Sequence, residues 1–216
     1  MKKGLLNIEW NNIASLSNDD ISYFLFLEGK SIETISLIRN MDKSIVQNSI
    51  INGKIKYRLL VKANNSAELF QTISLAGKDD KLQLLKGLDE ENKDGLIKFI
   101  RDGYQMFELK EKETSVWMLG ELKEQNCHDI LAKASVNKSV NLRRMAVSAL
   151  GKMENIKVEN ILLRALEDSN PQVVQYAIIA LQKVKSIRGR EKIDEIIKTT
   201  DKDYLKRAAE EYISRF

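Results

Sequence analysis

Cys127 and His128 stand side by side and are the only cysteine and the only histidine in the 216 residues. A thiol beside an imidazole suggests a nucleophile and its base, but that chemistry needs a third group to orient the base. No such group is evident, and neighbouring helical residues point about 100° apart. Cys127 also aligns with Val158 in an internal repeat, which makes it a core residue by pattern. Carboxylates are plentiful without a distinguished pair, and there is neither a glycine-rich phosphate loop nor a metal-ligand spacing. The expectation is therefore no catalytic residue, no cofactor and no metal.

The remaining candidates are binding residues. Lys183, Lys185, Arg188, Arg190 and Lys192 fall within ten residues, opposed by Glu191 alone. Such a cluster suits a phosphate-bearing or acidic partner, although an ordinary solvated turn has the same look. Lys43, Ser44, Gln47 and Asn48, with Lys54, Lys56 and Arg58, form a second set. Gln and Asn can pair with adenine edges, and the cations can meet phosphates. Trp117 is a candidate exposed anchor for a partner, or else a side chain packed on the repeat before it.

The elements that position these residues are helical. With a single proline, Pro171, the chain lacks the turn punctuation of β or α/β domains. Hydrophobic residues at 43% suffice for a core. The net charge of +4 permits an acidic partner without arguing for one. A lone cysteine excludes an internal disulfide. The start, Met1-Lys2-Lys3-Gly4-Leu5-Leu6, opens like a signal peptide, then Glu9 and Trp10 interrupt it. No apolar run approaches the roughly 18 residues of a membrane span. A cytoplasmic protein with no membrane contact is expected.

A shift of 31 residues superposes Ser115, Ala146, Ala177 and Ala208, then Val116, Val147, Ile178 and Ala209, then Leu119, Leu150, Leu181 and Tyr212. Small and branched residues at these intervals make the buried stripe of a helix that a neighbour approaches closely. A second helix recurs through Leu131, Leu162 and Ile193 and through Ala134, Ala165 and Ile196. Gly120 and Gly151 align near the first helix's end. A period of this length means stacked units that cannot bury their faces alone. Fainter matches upstream are Leu85, Leu88, Leu96, Phe99 and Ile100; Ser66–Ala76 is expected to be a helix capped by Ser66 and stopped by Gly77. The helix carrying Leu205, Ala208, Ala209 and Tyr212, polar elsewhere, reads as a terminal cap.

The pieces Arg143-Arg144-x-Ala146-x-x-Ala149-Leu150-Gly151, Leu162-x-x-Ala165-Leu166-x-Asp168 and Asn170-Pro171-x-Val173 resemble the HEAT-repeat family, in particular the bacterial HEAT-like repeats also found in phycobilisome lyases. Met153-Glu154-Asn155 stands where that family usually has a Gly-Asp-Pro-type link. Ahead of the repeats, Asp19-Asp20 opens a helix to Leu27 closed by Gly29. Ser31 caps Ile32–Arg39 with Ile32, Ile35 and Ile38 on one side; Asn40 turns; and Asp42 caps Lys43–Asn52 with Ile45, Val46 and Ile50 inward. This string resembles a helix-turn-helix of the kind appended to some helicases and sigma-factor-like regulators. The resemblance implies that the third helix reads a groove, whereas the same segment can equally be an end cap for the stack.

The expected fold is all-α: a three-helix module at 1–60, degenerate repeats at 61–110, and a right-handed α-solenoid of HEAT-like pairs at 111–216 closed by a capping helix. The expected function is a non-enzymatic adaptor whose second helices line a concave wall, with a protein partner and possible DNA or RNA contact at the N-terminal module. A purely protein-directed scaffold is the first alternative. HEAT-like DNA glycosylases are an enzymatic one, disfavoured because aromatics are 6% of the chain and do not recur on one face. Oligomeric state is left open.

Overall fold

In the computed structural model, residues 2–216 are described, Lys78 by its backbone alone. They divide into two units, one ending at Phe99 and the other running from Ile100 to Phe216.

In the first unit a short antiparallel pair, β1 (Lys2–Lys3) and β2 (Leu6–Asn7), precedes a 3-10 turn at Trp10–Ser15. The helices α1 (Asn18–Leu27), α2 (Ile32–Arg39) and α3 (Lys43–Lys62) follow. Ser17 and Asp20 close a capping box at the start of α1, so two otherwise orphan amides are satisfied there. Ser31 caps α2, and Asn40 ends it in the left-handed conformation at φ 48°. Asp42 precedes α3 without capping it through its side chain.

α3 is twice as long as the sequence suggested. Gly53, just past the expected end at Asn52, lies inside the helix, and its lack of a side chain makes room for Tyr23 of α1; a Cβ there would stand 2.3 Å from the Tyr23 Cβ. Burial also differs: Val46, Ile50 and Ile35 are in the core, while Ile45 is 47% and Ile38 59% exposed. Each helix packs on one side only, so the isoleucines beyond that side stay in solvent. α4 spans Ser66–Leu75 and is capped by Asn65, not Ser66, the Asn65 side chain accepting from the Glu68 amide. Gly77 does not end it; Ala76 does, and Gly77 leads into α5 (Lys78–Lys86). α6 (Glu90–Gly103) runs on into the second unit.

Asp20 knits α1 to α3. Its buried carboxylate accepts from Lys56 Nζ and from the Tyr57 hydroxyl, each at 2.8 Å. Burial pushes the group up, but the bonds from Lys56, Ser17 and Tyr57 outweigh this and hold it below its ordinary value of 3.8. A carboxyl depressed by folding contributes stability above its unfolded value and loses it as pH falls through the folded one. With Trp117→Phe leaving Trp10 as the reporter, the urea midpoint of this unit is expected to drop below about pH 4. Asp20→Asn should start lower at neutral pH and respond less to acid. An unchanged acid profile in Asp20→Asn would remove this role.

The second unit is a ladder of helix pairs: α7 (Leu109–Glu121) with α8 (His128–Ala134), α9 (Val140–Lys152) with α10 (Glu159–Ala165), α11 (Pro171–Lys183) with α12 (Arg190–Thr199), and α13 (Asp203–Arg215) last. The first helices pack on one another in order, α7 on α9, α9 on α11, α11 on α13. Each second helix packs chiefly on the first helix that follows it. The small-residue stripe explains the order, because Ser115, Ala146, Ala177 and Ala208 are all buried and let the backbones approach. Tyr212 closes the end, fully buried, its hydroxyl donating to the Ser186 carbonyl at 2.5 Å.

Where the sequence lacks the expected glycine link, the chain makes the same turn with other residues. Lys123, Glu154 and Lys185, each 31 apart, have φ of 51°, 52° and 57°. A side chain in this region costs about 1 kcal/mol. Charge alternation offsets part of it: Lys123 pairs with Glu154 at 2.8 Å, and that pairing, with Lys183 and Lys185 nearby, holds Glu154 below its usual value.

Candidate functional site

Cys127 is buried and Arg101 donates to its sulfur at 3.7 Å, while His128 Nδ1 faces the Gln125 carbonyl. Burial pushes the thiol up despite Arg101, the opposite of what a thiolate nucleophile requires. Among the described residues no group of three or more His, Cys, Asp or Glu could hold a metal, and no helix is long and apolar enough to cross a membrane.

In the N-terminal set, Lys43, Ser44, Gln47 and Asn48 are exposed at the start of α3. Lys43 faces Glu33 at 3.3 Å. Lys54 lies over the Phe26 ring and Lys56 is tied to Asp20, leaving Arg58 exposed. Ile51 and Ile55, 52% and 69% exposed, share this helix. A groove of about 550 Å³ runs beside α3 to α5, lined by Ile55, Leu59, Leu69 and Leu84 with Arg58 and Lys86.

The C-terminal basic cluster does not converge. Arg188 pairs with Glu159 at 2.7 Å and with Asn160, and Lys192 pairs with Glu195. Lys183 and Lys185 lie beside Glu154, and Arg190 opens α12, exposed. Internal carboxylates thus occupy part of the charge that the sequence shows as one block.

The structure instead assembles a site that sequence reading took apart. Trp117 of α7 lines an open recess with Arg144, Met145, Ser148, Ala149 and Lys152 of α9 and Tyr176 of α11. The Arg144 guanidinium lies over the Tyr176 ring, 5.6 Å from its centre, and donates to Asn141 Oδ1 at 2.7 Å. Lys152 is held by Glu121. The recess, about 110 Å³, is smaller than the roughly 300–1,000 Å³ of small-molecule sites. It suits a side chain projecting from a larger partner. The signal was present in the sequence: Met145 and Tyr176 are 31 apart, and Trp117 lies 31 before Ser148. Their mutual approach across three helices was not.

Residues 129–214 match the family model described as HEAT repeats. Over the matched stretch the helix pairs are similar to HEAT repeats. The match spans α8 to α13 and covers under half of the chain. No curated protein matches the chain. HEAT repeats are generally protein-interaction scaffolds, and the aromatic recess of this stack lies on its first-helix layer.

Proposed function

We infer that this protein is a non-catalytic scaffold whose HEAT stack docks a protein partner. The observation that carries the reading is a rigid, repeated helix ladder with half-exposed Trp117 and Tyr176 at neighbouring rungs. Aromatic and arginine anchors set on rigid elements are what protein interfaces concentrate. To test it, a photo-crosslinking residue replaces Gln172, exposed on α11 one turn before Tyr176 and outside the recess, and the product is analysed after nuclease treatment. The trapped protein is then purified and titrated against the full chain. A discrete partner with saturable binding is expected; absence of saturable binding by every trapped protein overturns the reading.

A second reading adds nucleic-acid contact through α2 and α3. It is supported by the left-handed Asn40 turn between them and by the exposure of Ser44, Gln47 and Asn48. Its check is a mobility shift with duplex and single-stranded DNA and RNA, repeated across salt concentrations. Binding that weakens steeply with salt supports it, and no shift at low salt removes it.

A further inference from the structure

The two central first helices of the HEAT stack contain no carboxylate. α9 reads VNLRRMAVSALGK and α11 reads PQVVQYAIIALQK, in a chain with 31 Asp and Glu among 216 residues. Acidic side chains are found instead on α7 (Glu111, Glu113, Glu121), on all the second helices, and on α13. The two middle rungs thus form a band that carries no acid of its own and is flanked by acidic rungs, from which Glu113 and Glu121 of α7 reach Asn141 and Lys152 on α9.

The cations of that band divide by partner. Arg143 is consumed inside the unit by Asp168, and Lys152 by Glu121. Among the described residues Arg144 has no carboxylate in ion-pair range, and the exposed Lys183 has only Glu154 nearby, without a direct ion pair. Arg144 is also preorganised: stacked on Tyr176 and hydrogen-bonded to Asn141, it keeps donors to spare beside Trp117 and Met145. The indole of Trp117 makes no hydrogen bond, among the described residues, and its ring is half-buried. A guanidinium with free donors at the lip of an aromatic recess is complementary to a carboxylate beside an apolar side chain.

We propose that this band is the docking site for an acidic peptide segment of the partner, one that places an aromatic or large aliphatic side chain in the recess against Trp117 and Met145 and a neighbouring carboxylate on Arg144, with Lys183 extending the attraction one rung on. The spacing disfavours a nucleic-acid strand, which is held by rows of free cations. Here one free cation, Arg144, and one partly screened by Glu154, Lys183, are interspersed with Met145, Ser148, Tyr176 and Ile179. The proposal rests on the protein-docking reading and narrows it to one face and one chemistry.

The test uses the full chain in a selection from a random-peptide display library, followed by fluorescence anisotropy with the enriched peptides. Sequences that set Asp or Glu next to Phe, Trp, Leu or Ile are expected to be enriched. Arg144→Glu should weaken their binding roughly thirtyfold, the loss typical of a hot-spot residue. Lys183→Glu should weaken it less, and Lys133→Glu on α8 should leave it unchanged. Circular dichroism of each variant establishes that the helices persist, and Ser148→Trp, which fills the recess without changing charge, gives a second route to the same loss. Enrichment of basic or uncharged sequences, binding indifferent to Arg144→Glu and Ser148→Trp, or equal competition by single-stranded DNA overturns the proposal. If the crosslinked partner still binds Arg144→Glu at full strength, this face is wrong while the scaffold reading stands.

Discussion

Arg143→Ala is expected to cost the C-terminal unit about 3 kcal/mol, near the lower end of what breaking a buried ion pair costs. The guanidinium grips Asp168 with Nε at 2.6 Å and with its second arm at 2.9 Å, and it donates to the carbonyls of Asn137 and Lys138 at 2.9 and 3.2 Å. The two side chains are only 13% and 10% exposed. One residue thereby ties the turn before α9 to the turn before α11, and its removal leaves a desolvated carboxylate and two carbonyls unmatched. Arg143→Lys keeps the charge without the fork and should recover less than half of the loss. Asp168→Asn keeps the acceptor for the Asn170 amide, so adding it to Arg143→Ala should cost little more. Urea unfolding followed by Trp117 fluorescence, in a Trp10→Phe background, measures all three. A loss under about 1 kcal/mol would reduce the pair to a surface bridge.

The same pair sets a pH window. Burial raises the Asp168 carboxyl, but Arg143 and the Asn170 amide bring it below its ordinary value of 3.8. Its contribution is thus complete above that value and is lost as pH falls through the folded one. In Arg143→Ala the acid limb of the stability curve should flatten.

Gly151→Leu is the second large effect. A Cβ at Gly151 would stand 2.7 Å from the Ala180 Cβ and 2.9 Å from its Cα; Gly120 meets Ala149 at the same two distances. Neither obstacle is a flexible side-chain end, so α9 and α11 must move apart and the buried stripe through Leu150 and Leu181 must open. Overpacking against an unyielding Cα and Cβ falls at the upper end of the usual range, about 3 kcal/mol, against a gain below about 1 kcal/mol from replacing a glycine in the last turn of a helix. The difference is a net loss of about 2 kcal/mol. Thermal unfolding of Gly151→Leu alongside Gly120→Leu is the measurement. Unchanged midpoints in both would mean that the first helices are not as tightly apposed as their glycines indicate.

How legible each feature was depended on the range of the interaction that makes it. The helix pairs showed in the 31-residue alignment because each repeat solves the same packing problem with similar residues. The cap at Ser31, the turn at Asn40 and the buried stripe are local or periodic, so pattern was enough. The continuation of α3 past Asn52 was not legible, and the glycine at 53 is explained only by Tyr23, thirty residues earlier in the chain. Ile45 and Ile38 were read as core by spacing, but an amphipathic pattern says which residues prefer burial, not whether a neighbour covers them. In the basic cluster at Lys183–Lys192, Arg188 meets Glu159 and Lys192 meets Glu195; Glu159 lies 29 residues earlier in the chain, so a local window of sequence does not show that pair.

Left to itself, the amino-acid order determined that the second half stacks as paired helices, which residues form their shared stripe, and where the turns fall, because these follow from local propensity and a repeated burial pattern. Only the packed structure decided that Trp117 shares a recess with Arg144 and Tyr176, that Arg143 is spent on Asp168 while its neighbour stays available, and that the acid-free rungs lie side by side. Those outcomes depend on which helices approach one another and how closely, a matter of three-dimensional apposition that no linear spacing encodes.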